Sequence, residues 1–397
     1  MTPLGPIIAG EEAAAESPLP RPRLPLDPLM ALAVAGLGVC SILTLKTATR
    51  TLIPGDPNYY VERQSIYLGV GVVLMLLVSR FDYSHLRRAR NAIYGALIFS
   101  ILLVTVAGHG VKGSTRAISL PLFSFQASEL GKDLLILSLA AFVVDRSRRL
   151  GERDTTIRVM LGALVPAMLV IAQPDLGSGM VYMVIAFTLL FIAGTGWKQL
   201  AALAALVVVA AAFVLAAGPA IGVHVLKPYQ EERFTGFLHP SSNPQSEGYQ
   251  LLESKIAIGA GQKTGRAHAP QTSLHFVPED QTDFIFAALG ERYGFVGAGL
   301  VLLLYALLLS RTLRVLVMAK DLYGTLVAAG VAGMLMFQVF VNVGMTIGIM
   351  PITGVTLPLM SYGGSSVITT LLAVGLLQSI YVQARVSEAL KGRVLRH

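Results

Sequence analysis

The strongest constraint on this chain is a series of apolar stretches, each close to the roughly 20 residues that a helix needs to cross a lipid bilayer. Ten can be separated along the sequence, at 28–46, 64–80, 92–109, 128–145, 157–173, 178–195, 199–223, 283–310, 323–347 and 360–382. Only 14% of the residues are charged, whereas a soluble domain carries about 25%. The sequence therefore predicts an all-α, polytopic membrane protein with about ten transmembrane helices.

The connections divide the chain into one membrane domain and two tails. Residues 1–27 are rich in Pro, Ala and Glu and lack apolar periodicity, which predicts a disordered tail. Residues 28–385 form a single membrane domain, and 386–397 form the second tail. The seventh and eighth spans are joined by a long loop over 224–282, and a connection of that length is usually functional.

Lysine and arginine concentrate in alternate connections, which sets the orientation in the membrane. One set holds Arg80, Arg87, Arg88, Arg90, Arg146, Arg148, Arg149, Arg153, Arg158, Lys198, Arg311, Arg314 and Lys320, and the C-terminal tail adds Arg385, Lys391, Arg393 and Arg396. Excess positive charge marks the cytoplasmic side. Both termini are therefore predicted to be cytoplasmic and the long loop extracytoplasmic. The net charge of +8 follows from this topology, and no nucleic-acid partner is expected.

Several other site types find little support in the sequence. The single cysteine, Cys40, excludes an intramolecular disulfide and a cysteine metal cluster. The segment 259–264 resembles a phosphate-binding loop, but Gln262 stands where that loop requires Gly before Lys263. The histidines of the long loop lack the spacing of a metal site on a helix. No protein-held metal site is predicted.

Short sequence motifs with characteristic Asn, Pro, Gly and Ser spacing occur along nearly the whole chain. The most specific runs from Asn342 through Pro351 and Pro358 to Ser361-Tyr-Gly-Gly-Ser-Ser. This segment resembles the C-terminal signature of the SEDS family (shape, elongation, division and sporulation). Further blocks similar to that family lie at 113–116, 126–132, 173–177, 227–230, 254–259 and 278–286.

The resemblance implies a function as well as a fold. It implies ten spans with one long outer loop, in the cytoplasmic membrane of a bacterium. It also implies a peptidoglycan glycosyltransferase that polymerises lipid II, with inversion at the anomeric carbon and undecaprenyl diphosphate as leaving group. The family further implies a partner, a class B penicillin-binding protein with transpeptidase activity. Asp82-Tyr83 and the segment 254–256 favour the elongation branch (RodA) over the division branch (FtsW).

Asp283 is the predicted catalytic base. A hydroxyl nucleophile needs a base within hydrogen-bond reach, and Asp283 begins the eighth predicted span at the outer interface. It also matches the family's catalytic aspartate. The alternative interpretation is a helix cap, because Asp is common at that position. Glu279 belongs to the same block and is predicted to contact the substrate.

Cations are predicted to stabilise the departing diphosphate. Arg116 and Lys132 are the first candidates, because arginine and lysine bind phosphate oxygens. Glu129 lies one helical turn before Lys132, so the two also fit a local ion pair. Lys227 and Arg233 in the long loop are further predicted substrate contacts.

Two more positions have both a functional and a structural interpretation. Asp175 lies in a short outer turn, where it either contacts a cation or substrate or stabilises the turn. Ser361 begins a run of small residues that either contacts a substrate phosphate or allows close helix packing. Mg²⁺ commonly accompanies diphosphate chemistry and is a possible cofactor, although no dedicated ligand set is visible.

Two other functions remain open. Charged residues in broken spans also suit a lipid II transporter, and a scaffold that only recruits partners is a third hypothesis. Departures from the family pattern at Ala117, Ala127 and Gln281, where Trp, Pro and His are usual, leave local substrate contacts open. The ionisable residues cluster on one predicted face, which favours the transferase.

Overall fold

The computed structural model describes residues 26–50, 52–53, 55–107, 117–119, 124–149, 152–212, 236–237, 247–266 and 281–394. Its helices are α1 (Pro28–Ala48), α2 (Tyr59–Ser79), α3 (Ser84–Arg88), α4 (Arg90–Ala107), α5 (Ala127–Asp145), α6 (Arg153–Ala172), α7 (Leu176–Ile192), α8 (Trp197–Ala212), α9 (Glu247–Gly261), α10 (Ile285–Met318), α11 (Leu322–Thr346) and α12 (Gly364–Val394). One short antiparallel pair, β1 (Ile118–Ser119) and β2 (Ser124–Phe125), precedes α5.

Aspartate side chains start several of these helices. Asp27 accepts the backbone N–H groups of Leu29 and Met30 at the start of α1, and Pro28 occupies the first turn. Asp321 accepts the N–H of Gly324 at the start of α11. Each carboxylate satisfies N–H groups that have no partner inside the helix, and its charge is favourable at the positive end of the helix dipole.

Each predicted span contains a helix, although residues 213–223 of the seventh span lie outside the described residues, and the all-α membrane architecture is confirmed. Within the described residues, seven helices are long and apolar enough to cross a membrane, and α7 and part of α8 are shorter apolar helices. Helix α5 differs because it carries Glu129, Lys132 and Asp133 in its first half. The number of helices that cross the membrane stays a prediction.

The centre of the bundle is formed by α11 and α12, against which α5 and α7 pack. In the most apolar part of each helix, 78% of the residues of α11 and 83% of those of α12 are buried, compared with 17% for α4. Helix α4 instead exposes Phe99, Leu102 and Leu103. Such apolar side chains suit contact with lipid, so α4 lies at the periphery and α11 and α12 form the core.

The predicted alternate connections gather at one end of the bundle. There Arg311 donates to Asp27 at 2.6 Å, and Tyr83 donates to Asp321 at 3.1 Å. We call this the arginine-rich end, defined by the connections 80–90, 145–158 and 311–321. At the opposite end α5, α7, α10 and α12 begin, and that end holds the candidate site.

The eighth predicted span, 283–310, corresponds to α10, and the structure adds a feature that was not predicted. Helix α10 breaks at Gly294, where φ is 63° and ψ is −160°. The part before the break packs on α9, which lies within the predicted long loop. The N–H groups of Phe295 and Val296 donate to the carbonyls of Gln262 and Lys263, at 2.9 and 3.1 Å. These carbonyls replace the helical partners that the break removes.

Glycine makes this crossing possible. A Cβ on Gly294 would lie 2.4 Å from the backbone nitrogen of Gly265, and one on Gly265 would lie 2.2 Å from the carbonyl oxygen of Arg292. The conformation of Gly294 is also one that essentially only glycine adopts. The break therefore fixes α9 and the start of α10 as one unit beside the candidate site.

Candidate active site

A cavity of about 470 Å³ lies where α5, α7, α10 and α12 begin. Its lining is rich in charged and hydroxyl side chains, and it brings together four of the predicted site residues. The charged members are Arg63, Glu129, Lys132, Asp175 and Asp283. The cavity therefore joins residues that are far apart in the sequence into one polar site.

Glu129 and Lys132 form a buried ion pair on one wall. The Lys132 Nζ lies 2.7 Å from Glu129 Oε1, and the two side chains are 4% and 7% exposed. They stand one turn apart on α5, as their spacing predicts. Removing both charges from water is costly, and such a pair is retained in a membrane protein mainly where it faces a polar cavity. This pair does face one.

Asp175 is held in one orientation by three donors. Its Oδ1 accepts the backbone N–H of Ser178 at 3.0 Å, so it caps α7. Its Oδ2 accepts the Ser128 hydroxyl at 2.8 Å and the Gln126 side-chain amide at 3.1 Å. The structure therefore places this carboxylate on the cavity and also gives it the turn-stabilising role of the structural interpretation.

Asp283 reaches the cavity from the segment before α10. The helix begins after Phe284, which occupies the cap position and makes no side-chain cap bond. Asp283 therefore lies one residue before the cap position of α10. The Asn342 side-chain amide donates to the Asp283 carbonyl at 2.9 Å and to the Val355 carbonyl at 2.7 Å. Asn342 thus fixes the backbone of Asp283 against the loop that precedes α12.

Ser361 contacts the same segment through the backbone of Thr282. Its side chain is buried; it donates to the Thr282 carbonyl at 2.7 Å and accepts the N–H of Leu357 at 2.8 Å. The residues of this signature that line the cavity are 354–356 and 362–366. Ser361 therefore positions the residue before Asp283, and its predicted contact with substrate remains a prediction.

One cation and two tyrosines on the cavity were not predicted from the sequence. Arg63 lines the cavity from α2, and its guanidinium lies 4.4 Å from the Tyr59 ring centre. Tyr67 and Tyr362 line the same wall. The predicted second span began at 64, directly after Arg63, which hid the arginine in a connection.

The remaining predicted contacts, Arg116, Lys227, Arg233 and Glu279, lie outside the described residues. Mg²⁺ as a cofactor stays a prediction, because the Glu129 and Asp175 carboxylates on the cavity already have partners. Glu129 binds Lys132 and Asp175 already accepts three donors. Within the described residues, no group of three or more His, Cys, Asp or Glu side chains could hold a metal ion. No step below depends on Mg²⁺.

Comparison with known proteins identifies the family. The FtsW/RodA/SpoVE family model, described as a cell cycle protein, matches residues 25–386. This chain belongs to that family. It is 35% identical over 367 residues to the peptidoglycan glycosyltransferase MrdB of Escherichia coli K12, with 91% of this chain and 95% of the relative covered. It is 37% identical over 374 residues to the "Probable peptidoglycan glycosyltransferase FtsW" of Thioalkalivibrio sulfidiphilus, with 92% and 91% covered.

Solved structures share the fold. One belongs to work described as "Structural coordination of polymerization and crosslinking by a peptidoglycan synthase complex"; it aligns with a TM-score of 0.77 at 32% identity, over 91% of this chain and 99% of that one. RodA of Thermus thermophilus aligns with a TM-score of 0.64 at 28% identity, over 91% and 98%. Elongation and division relatives match at similar identity, so the choice between the two branches stays a prediction.

Proposed function

We propose that this chain is a peptidoglycan glycosyltransferase that polymerises lipid II into glycan strands for cell elongation. The observation that carries the proposal is the cavity that joins Asp283 to the buried Lys132–Glu129 pair. A carboxylate and a cation in one polar cavity supply the base and the charge stabilisation that this reaction needs. Relatives named peptidoglycan glycosyltransferases along nearly their whole length support the assignment.

The proposed orientation puts the cavity at the outer face of the cytoplasmic membrane. The arginine-rich end lies at the other end of the bundle, and excess Lys and Arg mark the cytoplasmic side. Both termini are then cytoplasmic. The lipid tails of donor and acceptor stay in the bilayer while their sugars and diphosphates enter the cavity, so the membrane itself sets the depth at which the substrates meet.

In the proposed step, Asp283 accepts the proton of the acceptor's GlcNAc 4-hydroxyl. The oxygen attacks the anomeric carbon of the donor's MurNAc, and the bond from that carbon to the diphosphate oxygen breaks. Configuration inverts because attack and departure occur on opposite faces. The proton on Asp283 is then released to water. A base in this position typically contributes about 10²–10⁴-fold to the rate.

Lys132 stabilises the negative charge that develops on the leaving diphosphate. A buried cation is effective because the surroundings screen its field less than water does. Glu129 holds the Lys132 ammonium in place, and Asp175 holds Gln126 at the cavity wall and also accepts the Ser128 hydroxyl. Arg63 offers a second cation on the α2 side.

Arg116, Lys227, Arg233 and Glu279 remain proposed substrate contacts from the outer segments. A class B penicillin-binding protein is the proposed partner, because crosslinking must follow polymerisation. The solved complex that coordinates the two activities supports this pairing.

The test is a reconstitution in vesicles with labelled lipid II, with and without the partner transpeptidase. Polymerisation must yield long glycan strands and free undecaprenyl diphosphate. A preparation that moves labelled lipid II across the bilayer, yet makes no glycan even with the partner present, would establish the transporter instead. Rescue of elongation or division in depleted cells decides between the two branches.

A further inference from the structure

Two further cavities lie at the arginine-rich end, far from the candidate active site. The first, of about 410 Å³, lies between α4, α5 and α6 and is lined in part by Tyr94, Leu139, Phe142 and Gly162. We call it the apolar cavity. The second, of about 680 Å³, is lined mainly by charged and polar side chains around α3 and the starts of α4 and α11. We call it the polar cavity.

The two cavities are adjacent, because Arg90 and Asn91 line both. An apolar cavity beside a polar one fits an amphiphile better than it fits a soluble ion or a purely apolar molecule. Helix α6, which lines the apolar cavity, exposes the apolar side chains of Leu161 and Leu164. Such side chains border on lipid, so a lipid has direct access to this place.

Aromatic and guanidinium groups mark the boundary between the two cavities. The guanidinium of Arg90 lies 5.9 Å and that of Arg146 lies 5.0 Å from the centre of the Phe142 ring. Phe142 is half-buried and lines the apolar cavity. A ring with two guanidinium groups beside it suits the boundary between the acyl chain and the phosphate of a phospholipid.

The charge around the boundary is positive. Arg87 and Arg90 share one carboxylate, Asp145, and Arg87 lies 2.8 Å from it. Arg146 and Arg158 likewise share Asp154, each at 2.9 Å. Arg88 lines the polar cavity, is exposed, and forms no ion pair within the described part of the chain. The polar cavity is lined by three arginines and two carboxylates, Asp145 and Asp321, and Arg158 lines the apolar cavity, so an anion is the complementary ligand.

From this arrangement we propose that the α4–α5–α6 site binds an anionic phospholipid of the cytoplasmic leaflet. One acyl chain occupies the apolar cavity, and Arg88, Arg90 and Arg158 bind the phosphate. Basic pockets between transmembrane helices on the cytoplasmic side are suited to anionic headgroups. The inference depends on the proposed orientation but not on the proposed reaction, because none of its residues belongs to the active-site cavity.

The experiment measures lipid retention by the purified full-length chain. The protein is titrated in detergent with dioleoyl phosphatidylglycerol or dioleoyl phosphatidylcholine, and bound lipid is counted by native mass spectrometry. We expect phosphatidylglycerol to bind at least tenfold more tightly. The double variant R88Q/R158Q should weaken its binding by about thirtyfold, since each arginine near a headgroup contributes roughly a fivefold factor.

Two controls separate a built site from diffuse positive charge. R148Q/R149Q removes the same charge from the same end, at residues that do not line either cavity, and should leave binding within threefold. S138L fills the apolar cavity at little structural cost, because the Ser138 hydroxyl bonds only within its own helix, to the Leu135 carbonyl. It should weaken phosphatidylglycerol binding while leaving the melting temperature unchanged.

Three results would overturn the proposal. Equal weakening by R88Q/R158Q and R148Q/R149Q would mean general electrostatic attraction. Unchanged phosphatidylglycerol binding in S138L would mean that no acyl chain enters the apolar cavity. Displacement of phosphatidylglycerol by equimolar glycerol 1-phosphate would mean a site for a soluble phosphate.

Discussion

The two ends of the bundle carry the same kinds of ion pair, but the pair at the active-site end is buried and the pair at the arginine-rich end is exposed. At the active-site end, Lys132 and Glu129 are 4% and 7% exposed. At the arginine-rich end, Arg158 and Asp154 make a pair of similar length but are 55% and 52% exposed. Water screens the exposed pair, so its contribution to stability is small. Burial makes the inner pair both costly to break and effective on a developing charge.

The largest effect is expected from Lys132→Met. This change leaves Glu129 buried without its partner, which should lower the free energy of unfolding by about 3–5 kcal/mol. Thermal unfolding in detergent measures it. Polymerisation should also be lost, because the cation on the leaving diphosphate is gone.

A double variant separates these two consequences. Glu129→Gln combined with Lys132→Met removes both charges and should recover much of the stability, because no unpaired charge stays buried. Activity should not return. Recovery of both would show that Lys132 is needed only to neutralise Glu129.

Gly294→Ala should be the next most damaging change. The added Cβ would overlap the backbone of Gly265, and alanine disfavours the conformation at this break. We expect a loss of about 3 kcal/mol in stability. Gly299→Ala, in the same helix with open space around the Cβ, is the matched control and should be nearly neutral. Equal melting temperatures for the two variants would contradict the backbone crossing.

Asn342→Leu should act on activity more than on stability. It leaves the carbonyls of Asp283 and Val355 without this donor, which costs about 2 kcal/mol. Because the backbone of Asp283 is released, kcat should fall about tenfold or more, with a smaller change in KM. A fall confined to KM would mean that Asn342 acts on substrate binding.

The smallest effect is expected from Arg158→Ala. Its pair with Asp154 is exposed, so the free energy of unfolding should fall by no more than about 0.5 kcal/mol. Thermal unfolding in detergent measures this difference. Raising the salt concentration should abolish even that difference. A loss comparable to that of Lys132→Met would contradict the contrast between the two ends.

The same contrast explains what the sequence could predict. The helices follow from the lengths of the apolar stretches, and the positive charge of one end of the bundle follows from the placement of the arginines. Both are local properties of the sequence. Asp283, Glu129, Lys132 and Asp175 were found through motifs. Their meeting in one cavity depends on how α5, α7 and α10 pack, which spacing does not encode.

Two features were not predicted from the sequence, each for a physical reason. Arg63 stands at the edge of an apolar stretch, where a charged residue normally marks a connection. The break at Gly294 is hidden because apolar residues continue on both sides, at Tyr293, Phe295 and Val296. Only the close approach of Gly265 reveals that the helix stops there.

The central claim is that the Asp283 carboxylate is the base, and one comparison tests it most directly. Lipid II polymerisation is measured for Asp283→Asn and for Asp56→Asn, a control aspartate in the exposed α1–α2 connection, whose Oδ1 accepts the Asn58 N–H at 3.3 Å. We predict that Asp283→Asn melts like the wild type, still binds lipid II and polymerises at least about 10²-fold more slowly. Asp56→Asn should retain the wild-type rate. Polymerisation by Asp283→Asn at the rate of the control would contradict the account.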